Sequence, residues 1–134
     1  MNKAKTYMLD TDICSYIIRN QRELADVFIE RQHDDICISV ITYAELLYGV
    51  KNSGSHRVET EVKRFLPLVR VLDWSETAAR RYADIKDFLK KNGSPIGNMD
   101  MLIAAAALAV NAPLVTNNKK HFGLVPNLTI ADWL

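Results

Sequence analysis

The chain has 134 residues, 49% hydrophobic and 25% charged, and its 17 Lys and Arg against 16 Asp and Glu give a net charge of +1. That length suits one domain, read as residues 1–134, and the ordinary globular mix excludes disordered, collagen-like and coiled-coil chains. The near-neutral balance argues neither for nor against nucleic acid, although residues 51–91 carry ten basic and six acidic side chains where residues 1–50 carry five and eight.

The opening MNKAKTYMLD reaches an aspartate soon after Lys5, so no secretory leader is read there. Cys14 and Cys37 lie in apolar runs and are expected to be reduced, buried thiols of a cytoplasmic protein. Tyr7–Leu9 reads as a first strand ending on Asp10, with a helix starting near Ile13 and a shorter one marked by Leu24, Val27 and Phe28. Ile36–Ser39 and Val69–Leu72 are β-branched runs of the length of buried strands. Between them, a helix carries Glu45 and another carries Val58, Val62, Phe65 and Leu66 before Pro67. In Ser75–Asn92, Ala78, Tyr82, Ile85 and Leu89 recur at three- and four-residue steps, with Arg80, Arg81, Lys86 and Lys90 on the other faces. Asn98–Val110 is apolar on every side after Asp100 and must be a central helix. Leu114–Thr116 and Thr129–Ile130 are further short strands, while Lys51–Ser55 and Asn92–Gly97 read as loops. The longest uncharged stretch, Met101–Asn118, is broken by Asn111, Pro113 and Asn117, which is wrong for a membrane span. Strands alternating with helices predict an α/β fold: a mostly parallel sheet of about five short strands, covered on both faces, with ligands at the carboxyl ends of the strands.

The informative residues are carboxylates in apolar surroundings, since an ionised acid in low dielectric is costly without a cation or several donors. Asp10 ends the first strand, and Asp12 follows two residues later. Asp12 is read as the helix cap, which leaves Asp10 for function. Glu45 is the only charge from Ile36 to Val50, on a helix that looks buried nearly all round. Thr42 to Glu45 fits a capping box, whereas a helix starting at Ser39 carries Glu45 beyond the first turn; both readings stand. Asp100 is the only charge between Lys91 and Lys119 and sits in the first turn of the apolar helix, where the helix dipole favours an acid but the side chain still needs somewhere polar to point. One arrangement accommodates all three: a divalent cation at the strand ends held by Asp10 and Asp100, with Glu45 nearby for a second ion or a water. Few, oxygen-only ligands indicate Mg²⁺ or Mn²⁺ and phosphodiester chemistry, with Glu45 orienting or deprotonating the water. His33, His56 and His121 have no zinc spacing, and no Gly-rich phosphate loop or nucleophilic-serine turn is present.

The segments YMLDTDIC, ISVITYAELLYGV, GSPIGNMDMLIAAAAL and LVTNNKKHF, in this order from Tyr7 almost to the end, resemble those of PIN-domain ribonucleases, specifically VapC-type toxins of bacterial type II toxin–antitoxin pairs. The resemblance implies a three-layer α/β/α fold. It places the family's acids on Asp10, Glu45 and Asp100, and puts Asn118 where many members carry a fourth acid. Thr11 and Thr116 match hydroxyls that hydrogen-bond around the site. It further implies a Mg²⁺- or Mn²⁺-dependent endoribonuclease acting on structured RNA, in several enteric relatives on the anticodon loop of initiator tRNA. The implied partners are a second copy in a homodimer and a cognate VapB-like antitoxin whose tail blocks the cleft. Selectivity would then rest on RNA shape and on basic side chains such as Arg57, Lys63, Arg64, Lys86, Lys90, Lys119 and Lys120. Two alternatives compete. Leu9-Asp10-Thr11-Asp12 also looks like the nucleophile motif of haloacid-dehalogenase-like phosphatases, whose later lysine and acidic pair find no place here. A non-catalytic RNA- or partner-binding module explains the sheet but not Glu45.

Overall fold

The structure, a computed structural model, describes residues 5–133; residues 1–4, part of the segment read as leaderless, and residue 134 lie outside the described residues. The chain runs β1 (Thr6–Leu9), α1 (Thr11–Ile18), α2 (Leu24–Glu30), β2 (Asp35–Ser39), α3 (Val40–Ser53), α4 (His56–Phe65), β3 (Arg70–Leu72), α5 (Glu76–Lys91), α6 (Asn98–Ala109), β4 (Leu114–Val115), the single turn α7 (Lys119–Phe122) and β5 (Ile130–Ala131). The strands lie in the order β3-β2-β1-β4-β5, and every pairing among them is parallel.

Successive strand side chains point to opposite faces, and this period of two sorts the core into two halves. Met8 of β1 lies opposite Cys37 of β2 and Leu114 of β4; all three pack with Ile85 and Leu89 of α5 and the Ile103–Ala107 run of α6. Leu9, Ile36, Ile38 and Val115 face the other way, onto Ile13, Ile17, Phe28, Leu46, Val62 and Phe65 of α1 to α4. The expected three-layer α/β/α arrangement follows, with both faces of the central strands covered. Helix α6 is the central helix its composition requires: Met101 and Ile103 to Ala107 are all buried. Cys14 and Cys37 are free and fully buried in opposite halves of the core, where burial pushes both thiols up and keeps them as inert apolar groups.

Three expectations are corrected. Helix α3 is not buried nearly all round: Tyr48 is 68% and Leu47 41% exposed, because one side packs on β2, α1 and α4 while the other faces outward. Strand β3 is not a buried strand but the sheet's edge, with Val71 39% exposed. Most of the loop read at residues 51–55 is helix; α3 continues through Ser53 and stops at Gly54, whose φ of +59° suits a residue without a Cβ.

Candidate active site

Strands β1 and β4 are neighbours in the sheet but distant in sequence. The chain works outward from β1 to β3 on one side and from β4 to β5 on the other, so the crevice between their carboxyl ends is the topological switch point where α/β sheets collect ligands. Asp10 follows β1, and Thr116 follows β4. Asp10 is only 3% exposed. Its Oδ1 accepts the Ile13 N–H at 2.8 Å, and its Oδ2 accepts the Thr116 hydroxyl at 2.5 Å across the crevice. Asp10, not Asp12, is therefore the N-cap of α1. The extended backbone at Asp10 (φ −77°, ψ 172°) carries its carboxylate over the first amides, whereas Asp12 is already inside the helix and exposed. Capping does not exhaust Asp10, since each carboxylate oxygen accepts one hydrogen bond and keeps acceptor capacity.

Burial is the largest influence on Asp10 and pushes its carboxyl from 3.8 up to about 6, against the opposing pull of the Thr116 and Ile13 hydrogen bonds; repulsion from Asp12 and Asp100 adds to the rise. Asp100, third residue of α6 and half-buried, is likewise raised by burial and then by Asp12, with His121 drawing it back. Among the described residues no lysine or arginine is paired with Asp10, Asp12, Glu45 or Asp100. Three acids thus share one field that, among the described residues, no paired lysine or arginine neutralises.

Glu45 joins this cluster indirectly. Ser39 caps α3 by accepting the Thr42 N–H at 3.2 Å, so Glu45 falls in the second turn and the capping-box reading is removed. The Thr11 hydroxyl donates to Glu45 Oε1 at 2.5 Å and lies 3.2 Å from the Thr42 hydroxyl. Glu45 is therefore tied to the residue immediately after Asp10. Asn118 donates its backbone N–H to Thr116 Oγ1 at 2.9 Å, and its side-chain Nδ2 is 3.1 Å from His121 Nδ1. Among the described residues no three His, Cys, Asp or Glu side chains form a ready-made metal cage. What exists is a buried and a half-buried carboxylate in mutual repulsion, with a third acid behind a hydroxyl. That set fits a small, hard cation that retains most of its water and takes one or two carboxylates; it does not fit a cation requiring a full protein shell.

His121 is the residue that sequence reasoning passes over. It is exposed, yet it contacts Asn118 and acts electrostatically on Asp100. The available signal was its position three residues after Asn118 in the turn leaving β4. Of the basic side chains expected on RNA, Arg57, Lys63 and Lys119 are engaged by Glu61, Glu59 and Asp132, while Lys86 lies over the Tyr82 ring.

The PIN-domain family model matches residues 7–127. The chain is 38% identical over 130 residues to ribonuclease VapC2 of Rickettsia felis, covering 95% of this chain and 97% of that protein. It is 34% identical over 128 residues to the tRNA(fMet)-specific endonuclease VapC of Salmonella typhimurium, with the same coverage of 95% and 97%. The crystal structure of R. felis VapBC2 bound to a promoter DNA fragment contains a similar chain, with a TM-score of 0.87, 36% identity, and coverage of 96% of this chain and 99% of that one. DNA-bound VapBC of S. typhimurium gives a TM-score of 0.86 at 33% identity, covering 98% and 100%. No helix among the described residues is long and apolar enough to cross a membrane. A match of this extent leaves no room for the phosphatase alternative: the chain belongs to the PIN-domain family and, within it, to the VapC ribonucleases.

Proposed function

We propose that this chain is the toxin of a toxin–antitoxin pair and cleaves the anticodon loop of initiator tRNA in a reaction that depends on Mg²⁺ or Mn²⁺. One observation carries the metal reading: Asp10 is almost fully buried at the switch point, repelled by Asp12 and Asp100, with no cationic side chain opposite it. Asp10 and Asp100 would hold the ion. When bound, it supplies Lewis-acid stabilisation of charge on the phosphoryl group and makes water a better nucleophile. Thr116 and the Ile13 amide fix the Asp10 carboxylate, so it needs little reorganisation to accept a ligand. Thr11 holds Glu45 through Oε1 and leaves Oε2 free to take the proton of the attacking water. The bond that breaks is then the one from phosphorus to the ribose oxygen on its far side, and that oxygen takes up a proton from solvent water.

The substrate reading is supported by the S. typhimurium relative, whose name specifies tRNA(fMet), and the partner reading by the VapBC composition of the similar structures. Brief induction followed by sequencing of RNA 5′ ends is expected to show new ends concentrated in the anticodon loop of initiator tRNA. Ends spread over messages, or cleavage by the purified protein that persists undiminished in EDTA, would overturn the substrate or the metal reading respectively.

Asn118→Asp is expected to add a negative charge beside the turn that already contacts Asp10 through Thr116. Isothermal titration should then show Mn²⁺ binding at least several-fold tighter. Unchanged affinity would place Asn118 outside the metal's surroundings.

A further inference from the structure

A cavity of about 590 Å³, within the range of ligand pockets, opens between the end of α5 and the first turn of α6. Its floor is apolar, formed by the buried Leu89, Ile96 and Met101, and its rim carries Lys86, Lys90 and Asn98. Neither lysine meets a carboxylate among the described residues; on the same helix Arg80 and Lys91 are neutralised by Glu76 and Asp87. Three other cavities each pair an arginine with an acid: Arg81 with Asp84, Arg64 with Glu61, and Arg19 with Glu45 and Glu61. This one has two cations and no anion, so its unmatched charge calls for a polyanion.

Its position relative to the acids is equally specific. Asn98 and Met101 share one face of α6, and Asp100 is turned roughly 100° or more away from both, at 100° per residue. The cavity and Asp100 therefore flank the same helical turn on different sides, across about a helix width of 10 Å. That turn has no side-chain cap on its amides, which adds positive potential at the crossing. At the rim, the Tyr82 hydroxyl lies 3.4 Å from Asn98 Oδ1 and 3.3 Å from Lys86 Nζ, so Asn98 keeps its amide N–H₂ for another acceptor.

We propose that this cavity is an RNA subsite for a nucleotide near the cleaved bond, with its base on the Leu89, Ile96 and Met101 floor, an edge acceptor at Asn98, and phosphates against Lys86 and Lys90. The inference rests on the ribonuclease reading above. Unpaired loop nucleotides whose bases can leave the stack are the form of RNA that such a site takes.

The test reads binding and cleavage separately. In the full-length chain carrying Asp10→Asn, a fluorescein-labelled anticodon stem–loop of initiator tRNA is titrated with and without K86Q/K90Q, and with R80Q/K91Q, whose cations on the same helix are already paired with Glu76 and Asp87, as a charge-matched control. K86Q/K90Q is expected to raise Kd on the order of tenfold at 0.1 M salt and to reduce the slope of log Kd against log salt by about 1.4, as for two lost single-strand phosphate contacts. The control should change Kd less than threefold. In the active chain the same pair should raise KM with kcat retained, and 4-thiouridine in the loop should crosslink within residues 89–101. Equal weakening by both pairs, no weakening by K86Q/K90Q, or crosslinks confined elsewhere overturns the subsite while cleavage leaves the nuclease reading standing. A loss of antitoxin affinity with RNA binding intact overturns it in favour of an acidic protein segment. Absence of cleavage in the unmodified chain overturns the nuclease reading itself.

Discussion

Asp10→Asn is expected to lower RNA cleavage on the order of 10³-fold, the scale of losing a group that organises transition-state charge, while raising the melting temperature of the metal-free protein by several degrees. The substitution removes the charge but preserves most of the local structure. Asparagine is as good an N-cap as aspartate, so its Oδ1 still accepts the Ile13 N–H, and the Thr116 hydroxyl can turn to accept from the new amide. What disappears is the cost of keeping a carboxylate ionised at 3% exposure: a rise from 3.8 to about 6 is worth about 3 kcal/mol against the charged form. The sign is fixed by linkage. Because the folded-state value lies above the unfolded one, the folded chain holds more protons between about pH 4 and 6, and this group's contribution to stability falls as pH rises through that window. Above pH 6 the penalty is complete, so the gain from Asp10→Asn is expected at pH 7 and should vanish near pH 4. Saturating Mn²⁺ should stabilise the unmodified chain at pH 7 and the variant far less. Calorimetric scans at these pH values, with and without Mn²⁺, check all of this; a variant that melts several degrees lower at pH 7 would show that the Asp10 charge is structural.

Asp100→Asn is expected to inactivate the protein to a similar degree with a smaller effect on stability, neutral or slightly favourable. Burial raises this carboxyl, Asp12 raises it further, and its removal relieves Asp10 as well. Against that stands the loss of a first-turn acid on a helix dipole, about 0.3–1 kcal/mol. The two effects nearly offset each other, whereas a drop of several degrees would mean that Asp100 serves α6 and not a reaction. The double variant Asp10→Asn/Asp100→Asn should gain less than the sum of the single gains, since each change already removes the repulsion felt by the other. Urea midpoints of the four proteins measure that shortfall directly.

The readable elements are those whose pattern has one physical solution. The apolar body of Asn98–Val110 admits only a central helix, and the stripe through Ala78, Ile85 and Leu89 is buried in α5 as its period requires. The alternation along β1 and β4 sorts into two core halves without exception. Misreadings fall where local chemistry offers two equivalent answers. Asp10 and Asp12 are both competent caps, and only the extended backbone at Asp10 decides between them. Ser39 and Thr42 can both start α3, and the choice determines whether Glu45 is a capping side chain or a second-turn acid free to meet Thr11. The exposure of Tyr48 was not legible, because apolar content does not reveal which side of a helix lacks a neighbour.

From sequence alone come the α/β class, the parallel strands, the two buried thiols and the set of acids that have no local reason to be apolar-bound. These follow from periodicity and from the cost of desolvating charge, both of which are local. Tertiary structure alone decides that Thr116 crosses from β4 to hold Asp10, that Thr11 links Glu45 to it, and that Lys86 and Lys90 face a cavity with no acid. Those contacts join residues far apart in the chain or on neighbouring elements, and their geometry is set by strand order and helix crossing, which no single segment encodes.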